Sequence, residues 1–192
     1  MKKQGKEYRS VLAAALATGL VLMMPLIAMQ FTAEVNWRPA DFLAMGVLVF
    51  TTGLALVFLI QKGPNILYRI AAGLALCTTF LMILANLAVG LIGSGPNAAN
   101  LMYAGVALAV IAGCVLSRLK AEGMERTMYA ASGGLVGFAI IAFLVGAHRY
   151  PGSSVAEIFG VGGFFAGLYL IAGLLFRYDA KGIRLKQVQG KI

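Results

Sequence analysis

Charged side chains are scarce in this chain, and their scarcity excludes an ordinary water-soluble domain. Asp, Glu, Lys and Arg make up 12% of the 192 residues, 60% are hydrophobic, and the mean hydropathy is +0.87. Soluble domains carry about 25% charged residues. The net charge of +9 does not indicate a nucleic-acid-binding surface, because the cations lie between apolar runs and at the chain ends. The composition therefore predicts an integral membrane protein.

Cysteine and histidine are rarer still, which argues against most metal and cofactor sites. Cys77 and Cys114 fall inside apolar runs and belong to no CxxC motif, so we expect two small buried side chains rather than a disulfide or a zinc site. His148 is the only histidine, and it has no partner at a matching depth for a haem. The glycine pairs at 133–134 and 162–163 lie inside apolar runs, which excludes a phosphate-binding loop. We therefore predict no cofactor, no metal and no catalytic residue.

The middles of the apolar runs contain no Asp, Glu, Lys, Arg or His. Proton- and ion-coupled transporters usually place such a residue there, because a charge inside the membrane is costly and is retained for a function. This absence argues against a proton-driven antiporter and against an intramembrane protease with paired carboxylates.

Six apolar runs are present, and each is long enough to cross a bilayer as a helix. They cover about residues 11–31, 40–61, 67–93, 98–117, 127–147 and 155–176. The runs are continuous and about twice the length of a barrel strand, which excludes a β-barrel. We therefore predict an all-α bundle of six transmembrane helices built from three helical hairpins. It forms one membrane domain over residues 1–192, with basic tails at 1–10 and 177–192.

The basic residues fall almost entirely on one side of these runs. Of the 16 Lys and Arg residues, only Arg38 and Arg149 lie in segments of the other side. Short loops rich in Lys and Arg stay in the cytoplasm. We therefore expect both termini in the cytoplasm, with anionic lipids attracted to that face of the membrane.

Small residues recur at four-residue spacing in the last three runs. They are Gly105, Ala109 and Gly113, then Gly133 and Gly137, then Gly163 and Gly167. Small residues four apart lie on one helix face and let two backbones approach closely. The pattern is typical of packing inside one bundle, and it also fits an oligomer interface or a pore lining.

The candidate site consists of the few polar side chains near the outer face. They are Glu34, Arg38, Asp41, Asn86, Asn97, Asn100, His148 and Glu157. Asn86 lies about eight residues before its loop, which places it about 12 Å inside the end of its helix. The set is consistent with a polar outer vestibule.

Local interpretations compete with the vestibule. Asp41 and Glu157 stand in first helical turns, where acids cap free N–H groups and complement the helix dipole. Asn86 is also explained by a single hydrogen bond between helices, and His148 by a surface position. The outer charges form either ion pairs between loops or a mouth for an anion or zwitterion.

Three stretches carry a resemblance: Phe31–Trp37 with Ala40–Phe42, Asn86–Gly90, and Asn97–Tyr103. They are similar to a widespread, uncharacterised family of small bacterial multi-pass inner-membrane proteins, over roughly the first two thirds of the chain. The resemblance implies a bacterial inner membrane. It implies no activity and supplies no catalytic residues.

Three hypotheses for the function follow from the sequence. The first is a small oligomeric permease or channel, with Glu34, Asp41 and the three asparagines around its outer vestibule. An oligomer is considered because six short helices alone enclose little space. The second is a non-catalytic accessory or scaffold subunit that docks a larger membrane complex through its glycine-rich faces. The third is an enzyme acting on a lipid or quinone, with His148 and Glu157 as acid and base, although no catalytic motif is present. A homo-oligomer or a membrane partner protein is expected, and nucleic acid is not.

Overall fold

The computed structural model describes residues 2–93, 98–150 and 152–189, and all regular secondary structure in these ranges is helical. Six α-helices are present in those ranges: α1 (Lys2–Phe31), α2 (Pro39–Lys62), α3 (Ile66–Ala88), α4 (Leu101–Leu116), α5 (Ala121–Leu144) and α6 (Val155–Gln189). Short 3-10 helices occupy Ala98–Asn100 and Ala147–Arg149. The predicted all-α class is confirmed for the described residues.

Five of the six helices are long and apolar enough to cross a membrane, and α4 is the exception. This set of helices is that of an integral membrane protein. Helix α4 has 16 residues, so it extends about 24 Å, which is less than the roughly 30 Å of a hydrocarbon core. The expectation of six spanning helices therefore holds for five.

Several helix boundaries differ from those expected. Helix α3 ends at Ala88 rather than near residue 93, because Gly90 follows with a φ of 75°, a left-handed conformation that stops helices and suits glycine. Helix α5 begins at Ala121, six residues before the start of the fifth apolar run at residue 127. The segments predicted as tails are largely helical, since α1 starts at Lys2 and α6 continues to Gln189. Lys, Arg and Gln are strong helix formers, so little opposes this continuation.

The chain divides into two compact units, Met1–Lys62 and Gly63–Ile192. The first unit is the hairpin of α1 and α2, which meet along a seam of small residues. Gly53 faces Ala14, whose Cβ is 3.5 Å from the position of an added Cβ, and Gly46 faces the Leu22 Cδ1 at 3.3 Å. These close approaches join the two helices with few large side chains.

The second unit contains α3 to α6, and its central element is α6. The most extensive contact is between α5 and α6, followed by that between α3 and α6. Tyr169 and Phe176 of α6 are fully buried. The Tyr169 hydroxyl lies 2.8 Å from the Thr79 Oγ1, and the Ser132 hydroxyl donates to the Ala166 carbonyl at 2.9 Å. Helix α6 thus bonds to α3 and α5 through buried hydroxyls as well as through apolar contacts.

The close helix contacts occur mostly at glycines other than those predicted. Of the predicted set, only Gly113 has a tight neighbour, the Thr127 side chain. Two unpredicted glycines of α6 approach α5 closely: Gly162 at Ala139 and Gly173 at Tyr129. The other predicted glycines have no neighbouring atom within 4 Å of an added Cβ: they are Gly105, Gly133, Gly137, Gly163 and Gly167. Four-residue spacing therefore did not identify the packed faces.

The two cysteines are free, and only one of them is partly shielded. Cys114 is half-buried on α4, whereas Cys77 is exposed on α3. The expectation of two buried side chains is therefore wrong for Cys77, which lies on the outward face of its helix.

Replacing Gly173 by alanine should destabilise the second unit. An added Cβ would lie 2.7 Å from the Tyr129 Cε1 and 3.3 Å from the Met128 Cβ. Overpacking of this kind costs about 1–3 kcal/mol, which a denaturant titration of the purified protein in detergent will measure. Gly163→Ala on the same helix is the matched control, because its Cβ would meet open space. Equal stability of the two variants would contradict this packing.

Candidate functional site

The predicted polar residues of the first unit are engaged in local backbone contacts. The Asp41 Oδ2 accepts the Arg38 backbone N–H at 2.7 Å. This contact closes the N-terminus of α2, where Pro39 stands at the first helical position. The Glu34 backbone N–H donates to the Thr32 Oγ1 at 3.1 Å. The alternative of a helix-capping role therefore describes Asp41.

Asn86 and Asn100 lie together in the second unit, as expected, and they fix the loop between α3 and α4. The Asn100 Oδ1 accepts the backbone N–H groups of Leu91 and Ile92 at 2.9 and 2.8 Å. Its Nδ2 donates to the Ile92 carbonyl at 3.3 Å, and the Asn86 Nδ2 donates to the Asn100 carbonyl at 3.1 Å. The side-chain amide of Asn100 therefore pairs backbone groups of this loop that have no partner in a helix.

Asn86 lies nearer its helix end than the sequence indicated. Helix α3 ends at Ala88, so Asn86 belongs to the last turn rather than to a level about 12 Å inside the helix. Its Oδ1 is buried and has no hydrogen-bond partner among the described residues. Asn86 is therefore a helix-terminal residue whose amide oxygen has no partner in the described ranges.

The contacts of His148 and Glu157 are with residues near them in the chain. His148 stacks on Phe143 with ring centroids 5.2 Å apart, and its buried Nδ1 finds no partner in the described ranges. Glu157 is exposed in the first turn of α6, and its backbone N–H donates to the Ser154 hydroxyl at 3.1 Å. Asn97 lies outside the described residues.

A buried carboxylate stands at the other end of the second unit, which carries Lys120, Arg126 and Arg177 and is called the basic end here. Asp179 of α6 is only 4% exposed. Its Oδ1 accepts a hydrogen bond from the Asn65 Nδ2, whereas its Oδ2 is buried without a partner in the described part of the chain. Leaving a buried charged acceptor unpaired costs more than the 1–3 kcal/mol typical of a neutral group. Asp179 is therefore suited to bind a donor.

The Asn65 side chain is oriented by the start of α3. Asn65 is the N-cap, and its Oδ1 accepts the Tyr68 backbone N–H at 2.9 Å. With the amide oxygen committed to the helix, the Nδ2 must point elsewhere, and it donates to Asp179. The cap thereby fixes one carboxylate oxygen, and the other is buried with no partner among the described residues.

A cavity of about 480 Å³ lies at Asp179. Its lining comes from the start of α3, the α4–α5 turn, the first turns of α5 and the late part of α6, and it includes Tyr68, Asp179 and three further charged residues. We call this cavity the Asp179 pocket. Its volume falls within the range of about 300–1,000 Å³ that small-molecule sites occupy.

The α4–α5 turn that borders the pocket has an unusual backbone. Arg118 and Leu119 have φ values of 50° and 58°, in the left-handed region that non-glycine residues rarely adopt. The Tyr68 hydroxyl donates to the Leu119 carbonyl at 2.6 Å and holds this turn against α3. The Tyr68 ring itself packs edge-on against Phe176 at 5.2 Å. One wall of the pocket is thus fixed through an aromatic side chain anchored in the core.

Charges of both signs line the Asp179 pocket. Lys120 and Arg126 supply two cations, and Glu122 adds a second acid to the buried Asp179. Lys120, Arg126 and Glu122 are exposed, whereas Asp179 is buried. The pocket therefore combines a desolvated negative group with a water-accessible rim of mixed charge.

Asp179 was not predicted as a site residue, because the sixth span was ended at residue 176. The helical periodicity of α6 indicates that Asp179 lies on the buried face. Tyr169, Ala172 and Phe176 form the buried stripe of α6, and the next position on that face is 179 or 180. Continuing the period past the end of the apolar run would have placed Asp179 in the core.

No group of three His, Cys, Asp or Glu side chains in the described ranges is arranged to hold a metal ion. Comparison of the chain with protein-family models, with curated proteins and with solved structures gives no match. The function is therefore inferred from the residues and their geometry alone.

Replacing Asn100 by alanine should destabilise the loop between α3 and α4. The buried Leu91 N–H would lose its acceptor, which costs about 1–3 kcal/mol. Asn86→Ala removes one hydrogen bond from the same region and should cost less, about 1 kcal/mol. Unfolding free energies in detergent will rank the two variants. A larger loss for Asn86→Ala would show that Asn100 does not organise this loop.

Proposed function

We propose that this membrane protein is a small-solute permease that binds a positively charged group of its solute at Asp179. The observation that supports the proposal is the Asp179 carboxylate, because it is buried, its Oδ2 has no hydrogen-bond partner among the described residues, and the residue lines a cavity. Asp179 falls within the candidate membrane span Val155–Ile183, and ionisable residues within membrane spans mark ion or substrate pathways. A cation at the Oδ2 would offset the cost of burying the carboxylate.

We further propose that the protein lies in the bacterial inner membrane with both termini in the cytoplasm. The distribution of Lys and Arg between alternate loops supports this orientation. The Asp179 pocket would then open toward the cytoplasm. This places the proposed solute site at the inner face rather than at the outer vestibule that the sequence first suggested.

The interior of the second unit supplies polar groups beyond the pocket. The Thr79 and Tyr169 hydroxyls meet within the core, and Ser132 bonds to the α6 backbone. Phe176 and Tyr169 are fully buried, so side chains fill the core between the pocket and the opposite end. Transport therefore requires these side chains to move, and the present structure corresponds to a closed state of the proposed cycle.

Flux measurements in proteoliposomes test the proposal. Purified protein should take up at least one of three radiolabelled probes, methylamine, ethanolamine and alanine, above the level of empty liposomes. Asp179→Asn keeps the shape but removes the charge, and we expect uptake to fall at least tenfold. Glu157→Gln is the matched control, because it neutralises an exposed acid on the same helix. Uptake of no probe by the parent, or equal uptake by Asp179→Asn, would refute the proposal.

A further inference from the structure

We infer that the ligand of the Asp179 pocket is a small zwitterion, with a primary ammonium at Asp179 and an anionic group at Arg126 and Lys120. The inference rests on the proposed function, because it names the chemical class of the solute at that site.

The unpartnered Oδ2 of Asp179 favours a ligand group that donates a hydrogen bond and carries a positive charge. A carboxylate only accepts hydrogen bonds, and the Asp179 Oδ1 already has its donor in the Asn65 Nδ2. The Oδ2 is buried and unpartnered among the described residues. A primary ammonium carries three donors and the opposite charge, so it satisfies both the hydrogen bond and the electrostatics. A quaternary ammonium carries the charge but no donor.

The charge of the lining selects against a ligand of one sign. Two cations and two acids line the cavity: Lys120, Arg126, Glu122 and Asp179. A ligand with only a positive charge would be attracted by Asp179 but repelled by the basic residues. A ligand with only a negative charge would be attracted by the basic residues but repelled by Asp179. A zwitterion presents each group to its complement. The guanidinium of Arg126 also matches carboxylate and phosphate geometry with paired donors.

The size of the cavity fits a free amino acid or the headgroup of an ethanolamine phospholipid. Both carry a primary ammonium separated by a few bonds from an anionic group. The volume of about 480 Å³ is near the lower part of the usual range for ligand sites. The two sources share one chemistry, and separate arms of the experiment distinguish them.

Calorimetric titration of the full-length protein in detergent tests the recognition of the two groups. Alanine and O-phosphoethanolamine, which carry both groups, should bind. Phosphocholine lacks the ammonium donors, ethylamine lacks the anion, and inorganic phosphate lacks the cation, so each should bind at least tenfold more weakly. Binding of phosphocholine or ethylamine as tight as that of the two zwitterions would overturn the inference, and so would binding of neither zwitterion.

Three variants assign the binding to the pocket. Asp179→Asn should weaken zwitterion binding at least tenfold, whereas Glu157→Gln on the same helix should leave it unchanged. Arg126→Gln changes an exposed side chain, so it should fold even if the buried variant does not. It should weaken binding of O-phosphoethanolamine at least tenfold. Unchanged binding in Arg126→Gln would overturn the contact with the anionic group, and unchanged binding in a folded Asp179→Asn would overturn the contact with the ammonium.

Native mass spectrometry from nanodiscs separates the two sources. The protein is released from bilayers containing equal amounts of phosphatidylethanolamine and phosphatidylcholine. Selective retention of phosphatidylethanolamine by the parent, lost in Asp179→Asn, assigns a lipid headgroup. Binding of alanine without lipid retention assigns a free zwitterion, and the absence of both overturns the inference.

The binding and flux assays fail independently of each other. Zwitterion binding without uptake of any probe would refute the permease and retain the site. Uptake of methylamine that depends on Asp179, without zwitterion binding, would retain the permease and refute the substrate class.

Discussion

The buried face of α6 holds the second unit together and also carries its buried carboxylate. Tyr169 and Phe176 fill the core against α3 and α5, and the Tyr169 hydroxyl meets Thr79 of α3. The same helical face then continues to Asp179, which is placed where an apolar residue would otherwise pack. Because the helix is continuous to Gln189, the carboxylate has the rigid support of the core beneath it. The Asn65 cap of α3 then fixes one of its oxygens.

The two ends of the second unit use their polar side chains differently. At one end, Asn100 employs both its amide oxygen and its nitrogen on the loop after α3, so its hydrogen bonds serve the fold. At the basic end, Asp179 lines a cavity with further charged residues, and its buried Oδ2 has no hydrogen-bond partner in the described part of the chain. The hydrogen bonds of Asn100 are accounted for by the loop that it holds. A buried polar atom without a partner needs another explanation, and a bound ligand is one. This contrast supports the proposed site at the basic end, where the sequence predicted only a basic tail.

The all-helical class and the position of each helix were predictable from the sequence, because hydrocarbon-length apolar runs have few other solutions in a membrane. The helix ends were less predictable, since Gly90 stops α3 early and the charged segment before residue 127 joins α5. The capping role of Asp41 followed from its place in the first turn of α2. The Asp179 pocket did not follow, because burial beyond an apolar run depends on which helices surround it. Likewise, glycine spacing cannot identify a packed face without the neighbouring helix, as Gly173 and Gly163 illustrate.

The central claim is that the Asp179 carboxylate itself contacts the ligand. Infrared difference spectroscopy of the full-length protein, recorded before and after adding O-phosphoethanolamine, reports on carboxylate stretching directly. The account predicts a shift of one carboxylate band that is present in the parent and in Glu157→Gln and absent from Asp179→Asn. No carboxylate change on addition of the ligand, or the same change in Asp179→Asn, would contradict it.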